Sequence, residues 1–347
     1  MNTRRWFVGV DWATEEHAVC LIDDGGKVLD ERVFAHTGSG IAELCTWLLE
    51  TTGAEPSAIS VAIEVPHGPV VETLLERGMI VHSINPKQMD RFRDRFTVAG
   101  AKDDRRDAHV LADSLRTDAK CFRVLRVNDA KVIELREWSR MVDDLQEERV
   151  RLSNRVRQQL LRYYPQMLEL ADDVASDSFL ALWALAPTPA AASKISEKKV
   201  AKLLIESRIR RLDAKHVLCT LRQKPLTVAA GTTEAATAHI ASIAERLRLL
   251  NRQMKDAHRR LDQLTGELAS GDEEETPGRE RELRDVDILR SLVGVGRIVL
   301  ATLLAEASQP LAERDYHALR NLGGVAPVTK NSGKRRGNRS VVVMRHA

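Results

Sequence analysis

Apolar and polar positions in the first 120 residues alternate in a way that predicts strands interleaved with helices. The short apolar runs that predict strands are residues 5–10, 17–23, 27–34, 58–64 and 79–85. Apolar spacings of three and four predict helices at about 39–52, 69–78 and 104–117. The resulting order βββαβαβα predicts a mixed sheet covered by helices, which is an α/β domain.

The middle of the chain has the apolar period of long helices. Residues 128–163 predict one helix, which ends before Pro165, and residues at about 234–269 predict a second. Apolar positions of the second helix alternate steps of three and four over four heptads: Ile240, Ile243, Leu247, Leu250, Met254, Ala257, Leu261, Leu264 and Leu268. This seam predicts a coiled coil, formed either with 128–163 of the same chain or with another protomer. Residues 166–232 predict a small helical insert between the two helices.

The last part of the chain changes composition. Residues 270–282, "SGDEEETPGRERE", predict a charged linker. Two apolar helical halves then flank Gly294 and Gly296, which predicts a helix-hairpin-helix whose turn amides hold a DNA phosphate. A plain helix pair with a glycine turn is the alternative. We therefore expect three regions: 1–125, 126–284 with its insert, and 285–347.

Composition narrows the class of protein. Charged residues make up 30% of the chain and aromatic residues only 4%, which suits long helices, and the net charge is +3. Nucleic-acid binding would therefore depend on local basic clusters, such as the tail from Lys330, which contains six Lys and Arg residues and no acid. The four cysteines lack metal-ligand spacing and predict reduced thiols. No apolar run approaches the length of a membrane span, and we expect a cytoplasmic protein without a membrane partner.

Acidic residues mark the ends of two predicted strands and the start of a predicted helix. Asp11 ends the first strand and Glu64 ends the fourth. On the helix, Asp104 lies on the axis of an apolar stripe and Asp107 about 60° from it, while Asp103 lies about 100° off. Each acid alone has an alternative interpretation as a helix cap, a turn residue or a solvated first turn.

The joint placement of the acids is more specific. If strands one and four are neighbours, their carboxyl ends lie side by side, and the helix that carries Asp104 and Asp107 packs across them. Four carboxylates would then converge, and they cannot all stay ionised without a cation. Oxygen ligands of this kind suit Mg²⁺ or Mn²⁺, the ions that assist phosphoryl transfer.

Several motifs together resemble one protein family. "VGVDWA", "IEVPHG", "INPKQM" and "AKDDRRDAHVLAD" resemble the RuvC-like, RNase H-fold domain of the DEDD transposases. "LRSLVGVGRIVLATLLAE" and "LGGVAPVTKNSGKRRG" resemble their C-terminal transposase domain. These proteins are the recombinases of the bacterial insertion-sequence family numbered one-ten, related to the Piv DNA invertases and also called bridge recombinases. The resemblance extends over nearly the whole chain in the family's domain order.

The resemblance implies a set of functional residues. Asp11, Glu64, Asp104 and Asp107 take the metal-binding acid positions, and Ser332 in "KNSGK" matches the nucleophilic serine. That serine attacks a DNA phosphate and forms a phosphoserine link, assisted by the carboxylate-bound metal. The residues that we expect to bind nucleic acid are Arg91, Arg93, Arg95, Gly294, Gly296, Lys330, Lys334, Arg335, Arg336 and Arg339.

The resemblance also implies partners. A non-coding bridge RNA encoded by the element pairs with double-stranded donor and target DNA, so that base pairing reads the sequence while the protein reads shape and backbone. Synapsis requires a homo-oligomer, a dimer that forms a tetramer on DNA. Family members continue for further helices after the serine, and on that basis we expect this chain to be either a naturally shortened form or a part of a longer protein.

Other functions stay open at this point. A RuvC-type nuclease would use the same four acids with water as the nucleophile and would not need Ser332. A guide-RNA-binding protein without catalysis would use the acids only as helix caps. An actin-like ATPase is disfavoured, because "DWATEEH" lacks the glycines of a phosphate loop.

Overall fold

The computed structural model describes residues 5–95, 103–126, 129–270, 285–326, 328–329 and 338–339. The chain divides into two compact units, Met1–Asn128 and Asp129–Ala347, and each is described by itself. The predicted linker at 270–282 lies almost wholly outside the described residues, and so do Ser332 and the cations on either side of it: Lys330, Lys334, Arg335 and Arg336.

A six-stranded mixed sheet forms the centre of the first unit. Its strands are β1 (Trp6–Asp11), β2 (Glu16–Ile22), β3 (Val28–Ala35), β4 (Ile59–Ile63), β5 (Ile80–Ser83) and β6 (Arg123–Val124), in the spatial order β3-β2-β1-β4-β5-β6. β1 pairs antiparallel with β2 and parallel with β4. The predicted adjacency of the first and fourth strands is confirmed. The sixth strand was not predicted, because two exposed residues carry no periodic signal.

Four helices accompany this sheet: α1 (Gly38–Thr52), α2 (Pro69–Glu76), α3 (Pro86–Arg93) and α4 (Asp104–Asp118). α1 begins at the cap residue Thr37, whose side chain accepts the Gly40 N–H, and ends at Gly53 with φ of 58°. α3 was not predicted from apolar spacing, because only one of its residues is buried. The sequence nevertheless contains a signal for the start of this helix, because the Asn85 side chain caps it and Pro86 is its first residue.

The two faces of the sheet carry separate apolar clusters. Because alternate residues of a strand point to opposite faces, Val8 and Val10 of β1 join the cluster that contains residues of α1 and α2. Ala62 of β4 lies on the other face, in a cluster with Leu111 and Leu115 of α4. Strand positions of odd number in β1 and of even number in β4 therefore point toward α4.

The second unit is almost entirely helical. Its elements are α5 (Ala130–Tyr163), α6 (Gln166–Glu169), α7 (Asp177–Leu185), α8 (Pro189–Ser193), α9 (Glu197–Glu206), α10 (Ala214–Leu221), α11 (Thr232–Ser270), α12 (Asp285–Ser291), α13 (Arg297–Glu306), α14 (Ser308–Ala312), α15 (Tyr316–Leu322), β7 (Val328–Thr329) and β8 (Asn338–Arg339). β7 and β8 pair antiparallel. The long helices α5 and α11 and the helices between them lie where the sequence pattern predicts them.

The apolar seam of α11 packs along α5 of the same chain. At one end, Ile240 and Leu247 share a buried cluster with Val156 of α5 and with residues of the shorter helices α6, α7, α9 and α10. At the other end, Leu261 shares a second cluster with Leu135 and with residues of α12 and α13. Of the two partners that the sequence left open for this seam, the structure therefore has the one within the chain.

The glycine pair of the C-terminal region lies in a turn between two helices. Gly294 has φ of 90°, a backbone conformation that favours glycine, and Gly296 is the residue that precedes α13. Whether this turn binds a phosphate stays a prediction. Among the described residues, none of the helices is both long and apolar enough to cross a membrane.

Candidate active site

Two of the predicted acids end neighbouring parallel strands. Asp11 is the last residue of β1, and Glu64 follows the last residue of β4. The register pairs Val10 with Ile63, so the two acids lie at the same level of the sheet. Because alternate residues of a strand point to opposite faces of the sheet, both side chains point to the face that α4 covers.

A close backbone contact brings α4 onto this face. Gly9 lies under α4, and a Cβ atom at this position would stand 1.9 Å from the Ala108 carbonyl oxygen and 2.7 Å from the Ala112 nitrogen. Only glycine allows this approach, because every other residue would push the helix away from β1. Asp107 precedes Ala108 and is 7% exposed, so the contact at Gly9 places its carboxylate beside that of Asp11.

The first turn of α4 corrects the expected orientation of Asp104. Asp104 was expected to point into the protein, yet it is exposed. It lies at the first residue of α4, where the helix extends past the end of the sheet, so the apolar stripe of the helix has nothing to pack against at this position. It still contributes charge to the site, since it raises the pKa of Asp11. Asp103 is the cap of α4, and its side chain accepts the Arg105 N–H at 3.2 Å.

The electrostatics of the cluster centre on Asp11. The pKa of its carboxyl is raised from 3.8 to about 6, chiefly by burial and further by the charges of Asp107, Asp104 and Glu64, while the charge of Arg93 lowers it. The four acids that the sequence selected therefore act on one another in the folded protein. Repulsion of this kind disfavours the ionised form of Asp11, and a nearby cation offsets it.

Arg93 supplies a cation from within the chain. It ends α3, and its Nε donates to Asp107 Oδ1 at 2.9 Å while another guanidinium nitrogen donates to Asp90 Oδ1 at 2.8 Å. A third nitrogen lies 3.8 Å from Glu64 Oε2. The sequence placed Arg93 among residues that bind nucleic acid; in the structure its guanidinium faces the acids.

The spacing of the acids decides what they can hold. Carboxylate oxygens are the ligands that Mg²⁺ and Mn²⁺ prefer, so the donor set is of the right kind. Among the described residues, however, no group of three or more His, Cys, Asp or Glu side chains stands close enough together to bind one ion. The arrangement is therefore an acid cluster around an arginine rather than a preformed metal centre.

The loop after Asp11 is held by two histidines that the sequence did not single out. His17 is fully buried, and its Nε2 shares a hydrogen bond of 2.9 Å with His36 Nδ1. Burial lowers the pKa of His17, and the neighbouring His36 lowers it further. The Trp12 ring stacks on the His17 ring with centroids 6.2 Å apart. These contacts fix the chain direction immediately after Asp11.

The remaining predicted site residues are distributed over both units. Arg95 pairs with Asp118 at 3.1 Å, and Arg91 is exposed on α3. Gly294 and Gly296 belong to the second unit, and Arg339 lies in β8. Their roles in binding nucleic acid stay predictions.

Three functional features escaped the sequence interpretation, and two of them left a signal. The strand-interior glycine of "VGVD" indicates a close backbone approach, and the cap "NP" indicates the helix that carries Asp90 and Arg93. Asp90 and Arg93 stand three residues apart, the spacing of neighbours on a helix. The pairing of His17 with His36 left no local signal, because the two residues are 19 positions apart in the chain.

Comparison with known proteins agrees with this architecture. A family model described as a transposase, of the DEDD type of IS110 elements, matches residues 8–165. A second model, described as the transposase IS116/IS110/IS902 family, matches residues 286–344. The first match spans the mixed sheet with its acid cluster, which is consistent with an RNase H-like domain, and continues through α5.

Individual relatives extend the match. The mini-circle protein of IS117 from Streptomyces coelicolor, whose name describes a transposase, is 30% identical over 342 residues, which cover 95% of this chain and 78% of that protein. The y4uE protein of Sinorhizobium fredii, also named as a transposase, is 60% identical over 214 residues, which cover 61% of this chain and 60% of that protein. An insertion element IS116 protein of Streptomyces clavuligerus is 24% identical over 352 residues, 97% of this chain and 80% of that protein.

The mixed α/β sheet with its acidic edge and the two matched regions define the class of protein, a transposase of an insertion sequence. Within that class, the chain belongs to the IS110 family. Enzymes of this class cut and rejoin DNA, and DEDD transposases in general depend on divalent metal ions.

Proposed function

We propose that this chain is an RNA-guided recombinase that cuts and rejoins DNA at the ends of its insertion sequence. The observation that carries the proposal is the acid cluster, in which the partly buried Asp11 lies among the charges of Glu64, Asp104 and Asp107. Acids that repel one another at the edge of a sheet are suited to hold divalent cations for phosphoryl transfer. Membership of a transposase family supports DNA as the substrate.

In this proposal the cofactor is Mg²⁺ or Mn²⁺, held by the carboxylates of Asp11, Glu64, Asp104 and Asp107. When bound, such an ion supplies a positive charge that stabilises a phosphate under attack. The chain's own residues do the positioning. The contact at Gly9 sets the distance between α4 and β1, and the buried location of Asp107 limits access of water to the cluster.

Ser332 is the proposed nucleophile, and its support is its sequence context. Its hydroxyl loses a proton as the oxygen forms a bond to phosphorus, while the bond from phosphorus to the 3′ oxygen breaks and that oxygen takes up a proton. The phosphate remains on the serine. Attack by the 3′ hydroxyl of another strand reverses these changes, rejoins the DNA and frees the serine, so no external energy source is consumed. The cations on either side, Lys330, Lys334, Arg335 and Arg336, suit an attack on phosphate.

The proposed guide is a non-coding bridge RNA encoded by the element. It would pair with double-stranded donor DNA and with double-stranded target DNA, and the protein would bind its backbone. The expected contacts are Arg91, Arg93, Arg95, Gly294, Gly296 and Arg339 together with the basic tail. Exposed Arg91 on α3 and the glycine turn before α13 support this assignment.

A basic cavity in the second unit supports nucleic-acid binding by the long helices. It has a volume of about 580 Å³, and its lining includes Arg252, Lys255, His258 and Arg259 of α11 and Arg297 of α13. Acidic partners engage several of these cations, among them Asp262, which pairs with Arg297 at 2.5 Å. Phosphates compete for such exposed pairs at low cost, because a solvated ion pair contributes little to stability.

We further propose that the active form is a homo-oligomer, a dimer that becomes a tetramer in the synaptic complex. Recombination joins two DNA sites, and each needs its own set of catalytic residues. Ser332 of one protomer would then act beside the acids of another. Mixing the Ser332→Ala and Asp104→Asn proteins is expected to restore part of the strand exchange that each lacks alone, which strand-exchange assays on labelled DNA measure.

The decisive experiment looks for protein attached covalently to DNA. The wild-type chain is incubated with Mg²⁺, donor DNA, target DNA and the RNA transcribed from the non-coding DNA that flanks the gene, and the products are separated on a denaturing gel. We expect a slow DNA band that protease removes, absent with Ser332→Ala and with Asp107→Asn. The matched control Ser291→Ala changes an exposed serine whose hydroxyl donates to the Ile288 carbonyl oxygen of its own helix.

The rival functions give different products. Cleavage by Ser332→Ala with free 5′-phosphate ends and no covalent band would identify a RuvC-type nuclease that uses water. Tight RNA binding without Mg²⁺-dependent cleavage, by wild type and all variants alike, would identify an RNA-binding protein without catalysis.

A further inference from the structure

Arg93 occupies the centre of the acid cluster. Its guanidinium contacts Asp107 at 2.9 Å, Asp90 at 2.8 Å and Glu64 at 3.8 Å. The side chain is 27% exposed, so these pairs are only partly screened by water. One cation therefore neutralises part of the charge of two acids from different elements, Glu64 after β4 and Asp107 of α4.

The place of this guanidinium coincides with the place proposed for a divalent cation. Asp107 and Glu64 each direct an oxygen at Arg93, and no three candidate ligands among the described residues stand close enough to share an ion. An arginine and a divalent cation that use the same oxygens exclude each other, because both require those oxygens at short distance.

Asp90 differs from the other two partners. It lies on α3, three residues before Arg93, and its side chain is 67% exposed, well outside the buried part of the cluster. It offers the guanidinium a partner that remains available when Glu64 and Asp107 are engaged elsewhere. Arg93 therefore keeps one carboxylate partner that belongs to its own helix.

We propose that Arg93 is an exchangeable counter-cation of the acid cluster: it holds Glu64 and Asp107 in the arrangement described here and yields them to a divalent cation, retaining Asp90 as its partner. This inference rests on the proposed metal-binding role of the acids. Arg93 is accordingly a positioning residue, which assembles the carboxylates in the absence of the ion and sets how tightly the ion binds.

Removal of the competitor has two effects of opposite sign. Arg93→Gln leaves Glu64 and Asp107 without their cation, so the protein becomes less stable when no metal is present. The same change frees these oxygens, so Mn²⁺ binds more tightly. A residue with a merely structural role would produce losses of both stability and affinity when it is replaced, which makes the two signs diagnostic.

The test measures Mn²⁺ binding by titration calorimetry and thermal unfolding in EDTA, on the full chain without nucleic acid. We expect Arg93→Gln to bind Mn²⁺ roughly tenfold more tightly than wild type and to unfold a few degrees lower in EDTA. Arg93→Lys keeps the charge but loses the planar set of guanidinium N–H donors. We expect its Mn²⁺ affinity to lie between those of wild type and Arg93→Gln. If Arg93→Gln does not fold, Arg93→Lys alone still decides, since tighter binding than wild type is required.

Arg116→Gln is the matched control. Arg116 pairs with Asp113 at 2.5 Å and is 25% exposed, close to the 27% of Arg93, but neither residue of the pair belongs to the cluster. Its replacement is expected to change Mn²⁺ affinity less than twofold.

The outcomes separate this inference from the function on which it rests. Mn²⁺ binding by wild type that Asp107→Asn removes, together with unchanged or weaker binding by both Arg93 variants, would overturn the role of Arg93 and leave the metal site intact. Absence of Mn²⁺ binding from wild type and all Arg93 variants would overturn both proposals. Equal tightening by Arg116→Gln would mean that net charge alone is responsible, which also contradicts the role of Arg93.

Discussion

The acid cluster of the first unit and the paired helices of the second are stabilised in opposite ways. Along α5 and α11, apolar side chains such as Leu135 and Leu261 are fully buried against one another, and every contact favours the folded state. In the cluster, Asp11 has a pKa raised to about 6 because folding brings it into an apolar environment beside other acids. Here the folded state holds like charges together despite their repulsion.

This difference indicates which interactions stabilise the arrangement of the acids. The cluster does not stabilise itself, so the backbone contact at Gly9 and the cation of Arg93 must hold it. The helix pair needs no such special contact, because its periodic apolar positions repeat the same favourable burial along its length. Repulsion between the acids is therefore offset by packing elsewhere in the same unit.

The largest effect should follow from Gly9→Ala. The added methyl group would meet the Ala108 carbonyl oxygen at 1.9 Å, and because the atoms that it meets belong to the backbone of α4, the helix must move away from β1. We expect a loss of more than about 3 kcal/mol in the free energy of unfolding, together with loss of Mn²⁺ binding. Chemical unfolding and calorimetry measure both. Gly38→Ala, where an added Cβ has no neighbour within 4 Å, is the control, and equal behaviour of the two variants would refute the close approach.

The next effect tests the helix pair by shortening one buried leucine. Leu261 is 0% exposed within the seam, and Leu261→Ala is expected to cost about 3 kcal/mol, because it removes apolar contacts and leaves a cavity. Leu249, on the same helix, is 48% exposed, and Leu249→Ala should cost less than about 0.5 kcal/mol. Denaturant unfolding of both variants measures the difference. Similar costs would mean that the seam is not buried against α5.

A smaller effect of opposite sign is expected at Asp11. Since its pKa is raised from 3.8 to about 6, the folded protein binds this proton more tightly than the unfolded chain, and stability is lost as the pH rises through that window. Asp11→Asn removes the ionised form and should stabilise the protein by roughly 1–2 kcal/mol at about pH 8, with little effect at about pH 4. Thermal unfolding at the two pH values measures this. Destabilisation at the higher pH would show that the carboxylate is favourably paired.

The smallest effect should separate the capping aspartate from the acids of the site. Asp103→Ala removes the side chain that accepts the Arg105 N–H and should cost about 1 kcal/mol without changing Mn²⁺ affinity. Asp103→Asn keeps an acceptor and should leave stability nearly unchanged. Unfolding and calorimetry on the two variants provide the comparison. A fall in Mn²⁺ affinity with either variant would place Asp103 among the ligands.

Much of this architecture follows from local patterns in the sequence. The first five strands, the helices around residues 39–52, 69–78 and 104–117, and the two long helices coincide with structural elements because apolar period and capping residues act over short distances. Asp11 and Glu64 were likewise predicted as site residues because they end strands. The pairing of those two strands brings the acids together.

Tertiary structure alone decided the rest. The burial of Asp107 but not Asp104 depends on where the sheet ends beneath α4, which helical periodicity does not contain. The contacts of Arg93 with Asp107 and Glu64 depend on the position of α3 and on a residue that follows a distant strand. Sequence by itself determined which segments become strands and helices and which residues carry the chemistry. Only folding determined how those charges face one another, because electrostatic interactions depend on distance and burial between residues far apart in the chain.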